Sequence, residues 1–238
     1  PEQKIVAVNY EQNRGREGPA NILKGYTGYI QTDGYEVYKS IAKENPDIIH
    51  VGCMAHFRRY FKDALDNYKE KAGYILEQIQ LLYDIEQSFR DENTTIANRL
   101  AVRKILSQPI LEHIHSKMVE YSLTAIPKST LGKAITYGLN NWPAIEKYIT
   151  NGRLEIDNNL IENKIRPIAL GRKNFIFIGS HEAAERVAAI YTIMGTCKAN
   201  DVNPSDYLDW LLPKINDIKI TELHLYTPMA YKKLFPNS

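Results

Sequence analysis

Over residues 58–149 the hydrophobic side chains recur at three- and four-residue intervals, a period that only packed helices can bury. Leu76, Ile79, Leu82, Tyr83 and Ile85 mark one apolar stripe, and Leu100, Ile105, Ile110 and Ile114 mark others. Polar runs or proline interrupt the period near 91–95, near Gln108-Pro109 and near Ile126-Pro127, so breaks are expected there. A last helix is expected over residues 130–149, with a bend at Pro143. His113 and His115, two apart, fall on different helix faces and are poor partners for one metal.

The segments before this tract have a different character. Residues 4–10, KIVAVNY, alternate as a strand does; the polar run 13–18 reads as a loop, and Pro19 opens a short helix reaching Leu23. Residues 25–32, GYTGYIQT, give a second strand that ends at Asp33-Gly34. A carboxylate at the C-terminal end of a strand stands where α/β sheets present ligands, although Asp-Gly is equally an ordinary turn pair. A short helix from Tyr35 leads to Asn45-Pro46, and residues 47–51, DIIHV, supply a third strand. Cys53 and His56 follow with the spacing of half a zinc site, and His50 offers a third ligand, but no second close Cys or His pair completes it. Arg58 and Arg59 read equally as phosphate contacts or as an exposed helix face.

After the helical tract, Asp157 is a good N-cap and Leu160, Ile161 and Ile165 recur at helical spacing. A short helix is therefore expected from about Asn158 until Pro167 stops it. Gly171, Arg172 and Lys173 read as a basic turn, residues 174–178 as a buried strand, and Gly179 as its end. Glu162 and Arg166, four apart, have the order of a surface ion pair contributing about 0.2–0.5 kcal/mol, which is the ordinary reading of such a pair. Ser180 caps a helix from His181 to about Lys198, whose Ala183, Ala184, Ala188, Ala189 and Gly195 allow it to press on a sheet. Residues 203–212 form a further amphipathic helix with Pro204 near its start, and residues 218–238 show no readable pattern.

A chain of 238 residues, 44% of them hydrophobic, has material for one large or two modest domains. No apolar run approaches the roughly 20 residues of a membrane span, and the start lacks the pattern of a signal peptide, so cytoplasmic residence is expected. Two cysteines, Cys53 and Cys197, fit a reducing compartment rather than a disulfide framework. With a net charge of only +2, binding to nucleic acid would have to come from clustered cations.

Asp157-Asn158-Asn159, Glu162, Arg166-Pro167 and Gly171-Arg172-Lys173-Asn174 resemble, in this order, the C-terminal acidic motif of the insertion-sequence sixty-six family of bacterial transposases. Gln31, Thr32, Asp33, Gly34, Tyr35 and Tyr38 resemble its middle catalytic motif, and Cys53 with His56 resembles a Cys-x-x-His signature shared by several transposase families. The resemblance runs to about Leu212 and implies an α/β chain with a partial ribonuclease H-like fold and a large all-helical insertion. It divides the chain into residues 1–52 and 151–213 as the two parts of a catalytic domain, 53–150 as the insertion and 214–238 as a tail. It implies Asp33 and Glu162 as catalytic carboxylates that hold metal, two Mg2+ ions in the complete enzyme, Arg166, Arg172 and Lys173 as DNA contacts, and Cys53 and His56 as supports. The implied partners are DNA, at element ends and at the target, and a second copy of the chain, with no membrane. One departure stands out: the family uses an earlier Asp on its first strand, whereas residues 1–32 contain none. The expectation is a transposase catalytic region lacking that strand, with a noncatalytic DNA-binding or partner-binding remnant as the alternative.

Overall fold

The computed structural model describes residues 4–13, 15–174 and 178–236, the side chains of 172–174 lying outside the description. It forms two compact units, one of Arg16–Leu160 and one of Pro1–Gly15 with Ile161–Ser238. Among the described residues the chain is mostly helical, with a single two-stranded parallel sheet. No helix among them is long and apolar enough to cross a membrane.

The first unit carries the sheet. After the short α1 (Glu17–Ile22), β1 (Gly28–Gln31) and β2 (Ile48–Val51) pair in parallel, Gly28 with Ile48 through Gln31 with Val51. Parallel neighbours need a crossover, and α2 (Glu36–Glu44) supplies it. The chain then continues into α3 (Met54–Ala64), α4 (Lys69–Asp91), α5 (Ile96–Val102), α6 (Gln108–Ser122) and α7 (Thr130–Ile145), the last extended by a 3₁₀ turn over Glu146–Thr150. Two of the expected breaks are sharp because the next helix is capped: the hydroxyls of Thr95 and Ser129 accept the N–H groups of Asn98 and Gly132. Val51 of β2 and Ile156 lie in the same buried cluster as Phe57, Phe61, Ile79, Leu82, Met118 and Trp142, so sheet and helices share one core. Gly138 lets α7 close on that core, since a Cβ there would come within 2.6 Å of the Phe57 ring and 2.5 Å of the Met118 sulfur.

The stripe through Leu100, Ile105, Ile110 and Ile114 fails in its middle, and the expected break at Gln108-Pro109 is absent. Residues Arg103–Ser107 wind as a π-helix that runs straight into α6. Its wider turn advances the register, so Arg103 and Ser107 are buried while Ile105 is 70% exposed. Pro109 falls in the first turn of α6, where the chain tolerates a missing N–H. The buried Arg103 is fully bonded. Its Nε and Nη2 donate to the two oxygens of the equally buried Glu86 at 2.7 and 2.6 Å, and its remaining N–H groups donate to the carbonyls of Tyr148, Asn151 and Leu154 at 2.8–3.0 Å. A guanidinium thus pins the loop that leads to Asp157.

The helix α8 (Asn159–Asn174), in the second unit from Ile161 on, corrects the expected stop at Pro167 and the expected basic turn at Gly171, Arg172 and Lys173. Proline's fixed φ is compatible with a helix; it removes one backbone bond, and the good helix formers around it carry the helix on. Asn174, expected to open a strand, ends the helix, residues 175–177 lie outside the described residues, and Ile178 is exposed and not in a strand.

Residues 5–10 alternate in burial, yet residues 4–10 have no sheet partner among the described residues. They lie along α9 (His181–Ala199), which Ser180 caps through the Ala183 N–H. The N–H groups of Val6 and Val8 donate to the hydroxyls of Thr196 and Thr192 at 3.1 and 2.9 Å, the Thr196 hydroxyl donates back to the Val6 carbonyl, and Asn200 donates to the Lys4 carbonyl. The match is geometric: four helical residues rise about 6 Å, and two extended residues span about 6.7 Å. Gly195 provides the close approach, because a Cβ there would meet Val6 at 2.8 Å. The small-residue face of α9 therefore packs on an extended segment where a sheet was expected. α10 (Pro204–Leu211) starts at the Asn203 cap, and the tail folds into a 3₁₀ segment (Ile220–Tyr226) and α11 (Pro228–Leu234), with Tyr231 buried against Cys197, Tyr207 and Leu211.

Candidate active site

Asp33 stands just past the C-terminal end of β1 with its side chain exposed. Its Oδ1 accepts the Tyr35 N–H at 3.1 Å, and Gly34 takes φ +87°, a conformation that side chains resist. The turn reading and the exposed carboxylate coexist, since closing the turn uses one oxygen. Tyr137 of α7 covers the turn so closely that a Cβ on Gly34 would lie 2.7 Å from its hydroxyl. Burial, followed by the neighbouring Cys53, Tyr60 and Asp33 charges and opposed by Arg59, pushes the Tyr137 hydroxyl up to about 12, so at neutral pH it keeps its proton. Burial and then Asp33 raise Tyr38 in the same way. Behind the strand end, Thr32 and His50 share a hydrogen bond of 2.8 Å.

The first unit also brings together segments far apart in the sequence. Gln31 donates from its amide to the Gly52 carbonyl at 3.3 Å and to the Glu155 carbonyl at 2.7 Å, and the Met54 N–H donates to the Ile156 carbonyl at 3.1 Å. Cys53, at the start of α3, is buried with its sulfur facing the backbone N–H groups of Asn158, His56 and Ala55. Those donors pull its pKa down, but burial outweighs them and pushes it up, so the thiol keeps its proton where α3 meets the Asp157-Asn158 corner. Asp157 is buried: Oδ1 accepts the Asn159 N–H at 3.0 Å, starting α8, and Oδ2 accepts the Tyr83 hydroxyl at 2.7 Å. Burial, followed by Asp157, pushes the Tyr83 hydroxyl far above its ordinary range, so it remains a donor. His56 is half-buried on the first turn of α3.

Glu162 and Arg166 belong to the second unit, where both lie on α8, Glu162 half-buried and Arg166 exposed. Because the helix continues through Pro167, Glu162, Arg166 and Lys173 occupy register positions along a single stripe, and Arg172 sits about a quarter-turn away. Among the described residues no group of three or more His, Cys, Asp or Glu is arranged to hold a metal ion, a zinc set around Cys53, His56 and His50 included.

The sequence pattern did not single out Tyr137, Tyr83, Arg103 or Glu86. Tyr137 and Tyr83 look like ordinary members of helical stripes, and only the packed structure brings their hydroxyls to Gly34 and Asp157.

The sequence profile described as Transposase IS66 family matches residues 1–186. The chain belongs to the IS66 transposase family. It is 33% identical to the uncharacterized protein y4qI of Sinorhizobium fredii over 218 residues, covering 89% of this chain and 40% of that protein. The uncharacterized proteins y4hP and y4jD of the same organism are 30% and 26% identical, covering 96% and 98% of this chain and 44% and 47% of their own lengths. The chain thus spans less than half the length of these relatives. No solved structure matches it.

Proposed function

We propose that this chain is part of an IS66 transposase catalytic region whose parent reaction cuts DNA at element ends and joins the freed 3′ hydroxyl to target DNA. The observation that carries the reading is the seam in the first unit: Gln31, two residues before Asp33, bonds to Glu155, 124 positions on, beside the Asp157 that opens the helix of Glu162. The seam supports the reading because it holds the strand before Asp33 against the residues that lead into the second motif, as a fold that gathers acidic residues from distant positions would. In this reading residues 1–52 and 151–213 are the two parts of the catalytic domain, 53–150 the insertion and 214–238 a tail. Cys53 and His56 support the corner. Arg166, Arg172 and Lys173 neutralise phosphates along α8, which gives salt-dependent binding of low sequence specificity, and a homo-oligomer pairs the element ends.

Asp33 and Glu162 would be the ligands of magnesium, which when bound activates the attacking oxygen and stabilises the leaving one. The donor chemistry fits, since Asp33 is exposed and only one of its oxygens is used by the turn. Asp33 also keeps Tyr35 in place, and the protonated Tyr137 covers the turn that aims it. The third carboxylate of the family pattern has no counterpart in residues 1–32, so the chemistry needs an Asp from another segment. The alternative reading is a noncatalytic DNA-binding or partner-binding form.

The test is cleavage of element-end DNA with magnesium by this chain, by a longer chain in which an Asp-bearing strand precedes it, and by Asp33→Asn and Glu162→Gln variants of the longer chain. The expected result is cleavage by the longer chain alone, abolished by either substitution. Cleavage that survives both substitutions overturns the site, and a longer chain that binds DNA without cutting it favours the second reading.

A further inference from the structure

Tyr137 also lines a polar cleft of about 420 Å³ in the first unit, formed with Glu36 and Lys39 of α2, Tyr60 of α3, and Lys133 and Asn140 of α7. Two properties set this cleft apart. The rings of Tyr60 and Tyr137 are stacked, 4.2 Å between centroids and 19° from parallel, and Tyr60 remains 38% exposed, so the stack ends in an open aromatic surface. The lining carries two cations, Lys39 and Lys133, against one acid, Glu36, which is 3.9 Å from Lys39; next to it Arg59 and Asp33 act on Tyr137 with opposite signs.

An exposed end of an aromatic stack flanked by cations matches the chemistry of one nucleotide, a flat π-face joined to an anionic phosphate. A cleft of this volume has room for a single nucleotide and none for a double helix. The exposed Asn140 amide offers a donor and an acceptor to a base edge. Through Tyr137 the cleft adjoins the Asp33-Gly34 turn. We propose that this cleft binds one unpaired nucleotide of a DNA strand, with the base stacked on Tyr60 and the phosphate held by Lys39 and Lys133, beside Asp33. The inference rests on the DNA-handling reading above and adds to it the form of DNA that this face accepts.

The experiment measures fluorescence anisotropy of the full chain with a labelled oligothymidine and with a duplex of equal length, at several salt concentrations, for the wild type and for Tyr60→Ala, Tyr60→Phe and Lys133→Ala. The expected result is single-strand binding weakened about 5- to 150-fold by Tyr60→Ala, preserved within about twofold by Tyr60→Phe, with duplex binding unchanged. Lys133→Ala, an exposed position, is expected to lower the single-strand salt slope by about 0.7 while leaving the fold intact. Single-strand binding that is indifferent to both Tyr60→Ala and Lys133→Ala, or a loss shared equally by the duplex, overturns the inference and leaves the DNA reading standing. Failure to bind either DNA form at low salt overturns the DNA reading and the inference with it.

Discussion

Replacing Arg103 with methionine keeps much of the side-chain length and removes all five hydrogen bonds that the guanidinium makes. Glu86 would then be a carboxylate at 1% exposure without its bidentate partner, and the carbonyls of Tyr148, Asn151 and Leu154 would each lose a donor. Breaking a buried ion pair from one side costs about 3–5 kcal/mol. Arg99 lies 3.4 Å from the same Glu86 oxygen and is itself largely buried, so the orphaned carboxylate keeps one cation and the cost belongs at the lower end, about 3 kcal/mol. For a unit of this size that is a fall in Tm of roughly 6–12 °C. The assay is urea unfolding followed by circular dichroism, with hydrogen exchange over residues 148–157 as a local readout. Glu86→Leu combined with Arg103→Met removes both charges, so the double variant should recover part of the loss; recovery stays partial because the three carbonyls still lack donors. A cost for Arg103→Met below about 1 kcal/mol, or costs of the two single variants that simply add in the double, would refute the view that this pair holds the loop before Asp157.

Two further outcomes follow from other parts of the structure. Thr196→Val keeps the shape of a buried side chain but takes away the acceptor of the Val6 N–H and the donor to its carbonyl; it should cost about 1–3 kcal/mol and speed exchange at Val6, while Thr196→Ser should not. An unchanged midpoint and unchanged exchange would mean that residues 4–10 are not held by α9. Burial, then the Lys39 charge, lowers the His50 pKa below its unfolded value of 6.5. The folded state therefore binds fewer protons in that range, and the contribution is complete above about pH 6.5 and lost as pH falls through the folded pKa. The unfolding midpoint should drop between pH 7.5 and pH 5 by less in His50→Gln than in the wild type, and equal drops would remove His50 as a cause.

The local sequence was a sound guide wherever a short-range signal was strong. The strands at 28–31 and 48–51, the caps at Asp157 and Ser180, and the position of Asp33 at a strand end are settled by neighbours a few residues away. Caps and strand-end turns are satisfied by their own backbone, so no distant partner has to be known.

Tertiary structure decided what local pattern left open. Pro167 and Pro109 looked like stops, but the lost bond and the crowding of the preceding turn at a proline do not end either helix, and the chain runs on helically through both. Ile105 matched the apolar period and Arg103 did not, yet a π-turn reversed their burial, since the five bonds available to a guanidinium at that point outweigh the exposure of one isoleucine. Residues 4–10 carry a strand's alternation, but alternation specifies only a face, and the hydroxyls of Thr192 and Thr196 supplied partners where a neighbouring strand was expected. Tyr137 and Tyr83 acquire their places beside Gly34 and Asp157 only through packing, because hydroxyls on distant helices meet these turns only after the core between them has formed.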